Sequence, residues 1–490
     1  KINNLNMQDP GDRKKQAVLM KKKLEYSAIP EQIRNSKTRP YFLWKLNFFE
    51  VFQEKGGFDV VIANPPYIGF QGVDKVYKQI LQRNFQSAVK KFDFYIPFIE
   101  KSFYILKEKG FAIFICPTAF AKRDYGDGIR SFLLQNSSLR ELIDFEHSQV
   151  FDKATNYTGI FSFSRFQDSC NKLKHRKGFK APISLIDQSA LSSKTWIFTD
   201  EYAGQIINKI KKDAASLGQI TKISEGVVTG FNDLYLLNEK YIEENNFEKD
   251  AFCPCLRGKE IDRYFLAKNS EVLFYPYEMR DNKTVLIDKS ILEKKAPQYY
   301  KFLEKHKIKI LDRKYFVQSS KKWYELWNQR TLSNFITEKI VTPELSDRNR
   351  FALAKSKIFY GDTVCGILIR DEFKNNIHLK YLLALLNSAL IEWFYKQTTV
   401  PKAGGFFIYK VMFLKDIPIR IISPEQQKYF IDIVEKILSV AKRVDDARTV
   451  TNQAKIKEYE RQIDLMVYKL YGLTPEEVKI VESFQEKEKK

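Results

Sequence analysis

The 490-residue chain has no long apolar run: nothing in it approaches the ~18 uninterrupted apolar residues that a membrane-spanning helix requires. A membrane protein is therefore not expected. Cysteine is scarce, with five scattered residues, which argues against a secreted disulfide framework. Only Cys253 and Cys255 lie close together. With Pro254 between them and no neighbouring histidine they lack a zinc-binding pattern, and no metal site is expected. The sequence opens at Lys1 without an initiator methionine, an apolar signal core or a cleavage pattern, so no export signal is read, and a fragment of a longer protein is one reading. A cytoplasmic, reducing compartment fits these absences. Internal repeats and low-complexity tracts are also missing.

What is present is aromatic and basic. The chain holds 39 Phe, 26 Tyr and 5 Trp, far more aromatic surface than a disordered chain carries. Lys and Arg number 82 against 60 Asp and Glu, a net charge of +22. Such an excess is the electrostatic footprint of a protein that meets a polyanion, with nucleic acid the leading partner and an AT-rich genome the alternative explanation. The segment Thr451–Lys490 has eight residues of each sign, so the surplus lies upstream and the C-terminus is not a polybasic arm. At roughly 100–200 residues per domain, the length implies two or three domains.

Residues 1–40 are polar and Lys-rich, with a short helix expected over Arg13–Tyr26, and read as a connector. From Phe58 to Ala63 a near-continuous apolar run stops at Asn64-Pro65-Pro66-Tyr67, the form of a buried parallel strand ended by prolines. The spacing of Tyr95, Phe98, Ile99, Phe103 and Leu106 predicts a helix over Phe92–Lys109 with Gly110 at its C-terminal position. A second buried strand is expected at Phe111–Cys116, a helix over Asp127–Asn136, and strands at Leu139–Phe145 and Thr158–Phe163. This alternation defines an α/β sheet. Past about Lys172 the texture becomes irregular, which suggests a second domain extending to Pro418–Ile422, with one helix over Leu382–Tyr395. Helical patterning returns from Pro424 to Phe484, broken at Tyr471–Pro475, where Thr474 is a good N-cap. The expected division is thus 1–40, 41–172, 173–423 and 424–490.

The Asn64–Tyr67 tetrapeptide carries the chemistry, because ligands of open α/β sheets bind beyond the carboxyl ends of the strands. The exocyclic amine of a nucleobase is a poor nucleophile, its lone pair being delocalised into the ring. Two acceptors aimed at its N–H groups favour the pyramidal, charge-developing form. The Asn64 side-chain carbonyl and the Pro65 backbone carbonyl can supply them, with Pro65 and Pro66 fixing the turn. Tyr67 offers a face on which a base rotated out of a duplex can stack. The plainer reading is a strand-terminating turn, since Pro-Pro after Asn is ordinary punctuation.

Gly57-Phe58-Asp59-Val60-Val61-Ile62-Ala63-Asn64-Pro65-Pro66-Tyr67-Ile68 resembles the catalytic motif of gamma-class adenine-N6 DNA methyltransferases, including those fused in type IIG restriction-modification enzymes. Phe42-Leu43-Trp44 with Phe49–Phe52 is similar to the lead-in of that group, and Asp93-Phe94-Tyr95 with Phe98–Lys101 and the Gly110 strand to its next two motifs. The resemblance implies that Phe98 approaches the adenine ring of S-adenosylmethionine, with Asn64 and Pro65 near the methyl group, and that Phe151 stacks on the face of the flipped adenine opposite Tyr67. Phe98 in plain core is the alternative. The second domain resembles a TaqI-like target-recognition domain through Gly226–Asp233, Leu256–Ile261, Lys339–Leu345, Leu383–Ser388, Gly404-Gly405 and Leu414–Pro418. The implied fold is a partial Rossmann-like methyltransferase sheet, a mixed α+β target-recognition domain and C-terminal helices. The implied activity is site-specific methylation of N6 of adenine in double-stranded DNA, in a restriction-modification or phage-defence system.

One departure matters. The family's cofactor-binding strand and Gly-containing loop should precede Asn64 by about a hundred residues, and only 63 stand there, without a strand followed by Gly-x-Gly. The alternative is therefore a DNA-recognition module that methylates nothing unless an upstream cofactor-binding half is supplied. No nuclease cluster is read either, so cleavage would also belong to an upstream segment or subunit. Sheet physics adds an expectation: without that neighbour, Phe58–Ala63 lies at an open edge with no charge or bulge to guard it.

Overall fold

The computed structural model describes residue 20 and residues 42–145, 158–168, 171–193, 196, 198, 201–268, 270–313, 316, 319–399, 401, 402, 405–441, 444–447 and 449–488. Apart from Met20, the helix expected over Arg13–Tyr26 lies outside them, as does Phe151.

The first sheet grows from a tight entry. Helix α1 (Phe49–Lys55) ends at Gly56, whose φ of +70° is left-handed, and the chain passes through Gly57 into β1 (Phe58–Ala63). Gly57 lies so near the neighbouring strand that a Cβ there would sit 2.7 Å from the Ile105 carbonyl oxygen. Helices α2 (Lys75–Asn84) and α3 (Tyr95–Ile105) follow, then β2 (Leu106–Pro117), α4 (Asp127–Asn136), β3 (Ser138–Asp144), β4 (Thr158–Ser164), β5 (Lys172–Lys177) and β6 (Ser184–Asp187). The strand order is β1-β2-β4-β3-β5-β6. β1 runs parallel to β2 and β3 parallel to β5, while β4 is antiparallel to both of its neighbours. Buried Tyr95, Ile96 and Ile99 of α3 pack with Phe114, Phe161 and Phe163 of the sheet. The sheet continues beyond 172, where the sequence texture suggested a change of domain, because β5 and β6 pair onto it.

Two expectations are corrected here. The helix expected to Lys109 ends at Ile105. Leu106 is already extended and opposite Phe58, Lys109 takes a φ of +64°, and a Cβ on Gly110 would meet the Phe58 oxygen at 2.8 Å. Gly110 thus permits close strand approach and is no helix cap. The strand expected to be buried on both faces is instead exposed: β1 stands first in the sheet order, with Val60 49% and Ile62 77% accessible. The open edge expected from the missing neighbour is therefore present, and exposed Phe42, Leu43, Leu46 and Phe49 stand just upstream of it in the chain.

The second part contains two four-stranded sheets. One orders Phe359–Tyr360, Phe252–Leu256, Glu271–Phe274 and Leu236–Asn238; the other orders Ala352–Ala354, Lys339–Pro343, Val364–Ile369 and Thr221–Glu225. Cys253 and Cys255 lie on the strand Phe252–Leu256 as free thiols, that of Cys253 pushed up to about 11 chiefly by burial. The single helix expected over Leu382–Tyr395 is two, α5 (Leu379–Asn387) and α6 (Ala389–Thr398). Ser388 between them is extended, and its hydroxyl accepts from the Ile391 N–H as an N-cap.

The terminal helices α7 (Pro424–Val440), α8 (Val450–Leu470) and α9 (Pro475–Glu488) break where the sequence suggested, with Thr474 and Glu477 exchanging hydrogen bonds as a capping box. They share one core with α5 and α6. At that junction Arg263 meets Glu460 at 2.9 Å and Glu392 at 3.2 Å. Asp464 accepts from the Ala389 N–H at 2.7 Å. Burial, with Glu460 and Glu392 adding to it against the Ala389 bond and Arg263, raises the Asp464 carboxyl to about 7.

A carboxyl raised in the folded state above its ordinary value of 3.8 keeps its proton where the unfolded chain has lost it. Stability should therefore fall as pH rises from about 4 to about 7, by at most about 4 kcal/mol from this group. Denaturant unfolding across that range should show the slope, and Asp464→Asn should flatten it; an equal slope in the variant assigns it elsewhere.

Candidate functional site

Strand directions bring the site to one rim of the first sheet. Ala63 stands opposite Phe114 in the parallel β1–β2 pair, so both strands end there. β4 starts at the same rim, with Thr158 opposite Pro117, and β3 ends at it, with Asp144 opposite Gly159. The Asn64–Tyr67 turn leaves β1 at this rim, beyond the carboxyl ends of two parallel strands.

Within the turn Asn64 and Pro66 are exposed, Pro65 is buried and Tyr67 is half-buried. The Tyr67 hydroxyl donates to the Ile115 carbonyl of β2 at 2.9 Å, and its ring packs against the sheet core. Burial, with Cys116 nearby, pushes this hydroxyl up to about 12, so it remains a neutral donor. The turn is tied down at its exit too, where the Phe94 N–H donates to the Ile68 carbonyl at 2.8 Å. Between these two anchors the Asn64 amide is left facing solvent.

Phe98 is not core. It is 41% exposed on a helix whose Tyr95, Ile96 and Ile99 are fully buried, and its ring meets Phe94 edge-on at 5.5 Å. The same helix is fixed from behind by buried Glu100, which accepts from the Gln86 N–H at 3.1 Å and the Ser87 N–H at 2.7 Å. Phe151 lies outside the described residues, but the two ends of its connection are held at the rim, where the Phe145 N–H donates to the Thr158 carbonyl at 3.2 Å.

Sequence reasoning missed a cleft of about 930 Å³ formed between the first sheet and the second part of the chain. Lys90, Lys91, Arg123 and Tyr125 line one wall, and Glu344, Lys402, Lys410 and Phe413 the other. Lys410 pairs with Glu344 at 3.0 Å and Lys90 with Asp127. The walls are linked where the Lys122 ammonium donates to the Thr399 carbonyl at 3.1 Å. The Lys90-Lys91 doublet is the only local signal; the other cations come from segments hundreds of residues apart. Among the described residues no group of three or more His, Cys, Asp or Glu side chains is placed to hold a metal ion. No described helix is long and apolar enough to cross a membrane.

A mixed sheet with an Asn-Pro-Pro-Tyr turn at its rim and a basic cleft against a second domain is the architecture of a DNA-modifying enzyme with an attached reader, and comparison with known proteins agrees. Residues 5–151 match the Eco57I restriction-modification methylase family, and residues 253–419 the TaqI-like C-terminal specificity domain. The chain thus joins an Eco57I-type methylase segment to a TaqI-like specificity domain. It is 25% identical over 463 residues to the type II restriction enzyme and methyltransferase RM.Eco57I of Escherichia coli, covering 85% of this chain and 46% of that protein. It is 20% identical to the type II methyltransferase M.BstVI of Geobacillus stearothermophilus, over 90% of this chain and 77% of that one. The type IIL restriction-modification enzyme MmeI, solved in complex with DNA, shares the fold at a TM-score of 0.61 and 12% identity, over 88% of this chain and 57% of that one. The chain spans about half the length of RM.Eco57I and MmeI.

Tyr67→Phe should lower the unfolding free energy by about 1 kcal/mol, the usual cost of losing one intramolecular hydrogen bond, while keeping the ring in place. Tyr67→Ala should cost more, because ring packing is lost with the bond. Equal denaturation midpoints for wild type and Tyr67→Phe would show that the Ile115 bond does not hold the turn.

Proposed function

We propose that the chain is the catalytic-motif and target-recognition portion of an adenine-N6 DNA methyltransferase of a type IIG-like restriction-modification or phage-defence system. One observation carries the reading: an exposed Asn64 amide is held between two hydrogen-bonded anchors at the carboxyl rim of β1 and β2, on a sheet that also walls a basic cleft. The relatives named as type II methyltransferases, and MmeI's structure with DNA, support it. On this reading residues 41–172, completed by β5 and β6, serve catalysis, residues 173–423 read the target, and residues 424–490 close the fold.

In the mechanism, the Asn64 side-chain carbonyl and the Pro65 backbone carbonyl each accept one N–H of the target adenine's amine. Its lone pair turns out of conjugation and becomes nucleophilic. Tyr67, pinned through its hydroxyl, presents a ring face to the extruded base, and Phe151 closes on the opposite face. S-adenosylmethionine supplies the electrophilic methyl group. The described residues fit one wall of its site, since the accessible Phe98 ring is free to lie against an adenine. Transfer is direct, with no covalent intermediate on the enzyme. Lys90, Lys91, Arg123 and Lys402 neutralise phosphates of double-stranded DNA in the cleft.

The open edge of β1 favours a second reading, in which this chain recognises DNA but needs an upstream cofactor-binding segment or subunit before it methylates. S-adenosylmethionine binding measured on the chain alone separates the two readings, since the second predicts none until the upstream part is added.

Asn64→Ala in the complete enzyme should lower methyl transfer at least ~100-fold, the scale for losing one positioned acceptor, with DNA affinity nearly unchanged. The product, digested to nucleosides, should be N6-methyladenine; a methylated cytosine or retained activity in the variant removes this reading. Each phosphate neutralised contributes about −0.9 to the slope of log affinity against log salt, so a slope steeper than about −4 is expected for this chain. A flat response would leave the +22 charge as genome composition.

A further inference from the structure

Tyr125 stands where the cleft and the catalytic rim meet. It lies in the short turn Asp124–Gly126 beyond the end of β2 and lines the cleft beside Lys90, Lys91 and Arg123. Its hydroxyl is 3.1 Å from that of Tyr95 and is also hydrogen-bonded to Asp93. A carboxylate only accepts, so Tyr125 donates to Asp93 and its own oxygen accepts from Tyr95. Tyr95 is fully buried in α3, which makes that end of the chain of bonds rigid.

The other end reaches the catalytic turn. Phe94, next to Asp93, donates its N–H to the Ile68 carbonyl at 2.8 Å, and a Cβ on Gly69 would lie 3.7 Å from the Asp93 carboxylate. Asp93 therefore sits against the residues that leave the Asn64–Tyr67 turn. A phenyl ring at position 125 would fill the same space, so the hydroxyl contributes these hydrogen bonds and little else to packing.

We propose that Tyr125 is a positioning residue for methyl transfer: its hydroxyl links the cleft wall, through Asp93, to the exit of the Asn64–Tyr67 turn, so that duplex DNA seated in the cleft holds the turn in register with the target amine. This rests on the reading of the chain as a DNA methyltransferase. Phosphates drawn to Arg123, Lys90 and Lys91 bear on the segment that carries Tyr125. The hydrogen-bonded side chains are short and mostly buried, so a displacement there reaches Ile68 with little slack.

The test uses the protein as its host makes it. In Tyr125→Phe, single-turnover methylation at saturating duplex should slow about tenfold while duplex affinity stays within about twofold, a loss confined to the transition state. Hydrogen exchange at the Phe94 amide should slow on adding unmodified duplex to wild type and not change in Tyr125→Phe. Asp93→Asn, which keeps an acceptor oxygen, should retain most of the rate. Asp93→Ala should match Tyr125→Phe, and the double variant should be no slower than the slower single, as expected for residues acting as one unit. Unchanged methylation in Tyr125→Phe, equal loss of rate and affinity, or multiplicative effects in the double variant would overturn the proposal. A wild type that does not methylate duplex overturns the functional reading instead; the Phe94 exchange arm then decides the coupling by itself, being retained if DNA protects that amide only when the Tyr125 hydroxyl is present.

Discussion

The parallel pairing of β1 with β2 is the constraint on which the rest of the site depends. It sets Ala63 beside Phe114, so that the next residues of both strands emerge at one rim and the Tyr67 hydroxyl falls within reach of Ile115. Without that register the Asn64 amide would have no fixed direction, because two prolines stiffen a turn but do not say where it points. The pairing in turn demands close approach at its start, where neither Gly57 nor Gly110 has room for a side chain. Function at the rim is thus secured by glycines at the opposite end of the strands.

Stability and function are held by different kinds of contact. The catalytic half rests on aromatic packing beneath the sheet, with Tyr95, Phe120, Phe161 and Trp196 fully buried. The specificity half is locked to the terminal helices through a buried charge cluster, in which Arg263 answers Glu392 and Glu460 while Asp464 is pushed toward its neutral form. A cluster of this kind contributes more to geometric definition than to net stability, since desolvation offsets most of the attraction. The helices Leu379–Asn387 and Ala389–Thr398 connect the two halves: they share the core of the terminal helices, and Thr399 at their end meets Lys122. The reading domain is therefore seated on the catalytic sheet by contacts that also define the cleft.

The cleft is basic without being uniformly so. Glu344 and Asp124 line it, and Lys410 is answered by Glu344. Partial pairing of this sort leaves the remaining cations to meet phosphate while fixing the wall that carries them. Backbone contacts of this type orient a duplex, and base identity is read by other side chains.

Local chemistry fixed a good part of this protein in advance. The bounds of β1, the helix Asp127–Asn136, the break before Thr474 and the position of Asn64–Tyr67 after a strand are all legible in the residues, because apolar periodicity, prolines and a capping threonine act over a few positions. Tertiary structure decided what depends on distant partners. The helix begun at Tyr95 stops at Ile105 because Leu106 is claimed by Phe58, nearly fifty residues away in sequence. The apolar run Phe58–Ala63 lies exposed because burial is set by neighbouring strands and not by the strand's own residues. The sheet runs on to Asp187, and the cleft gathers Lys90, Arg123, Lys402 and Lys410, which share no local pattern. Periodicity reports which way a side chain points along its own element; which surface it then meets is fixed only when elements far apart in the chain are brought together.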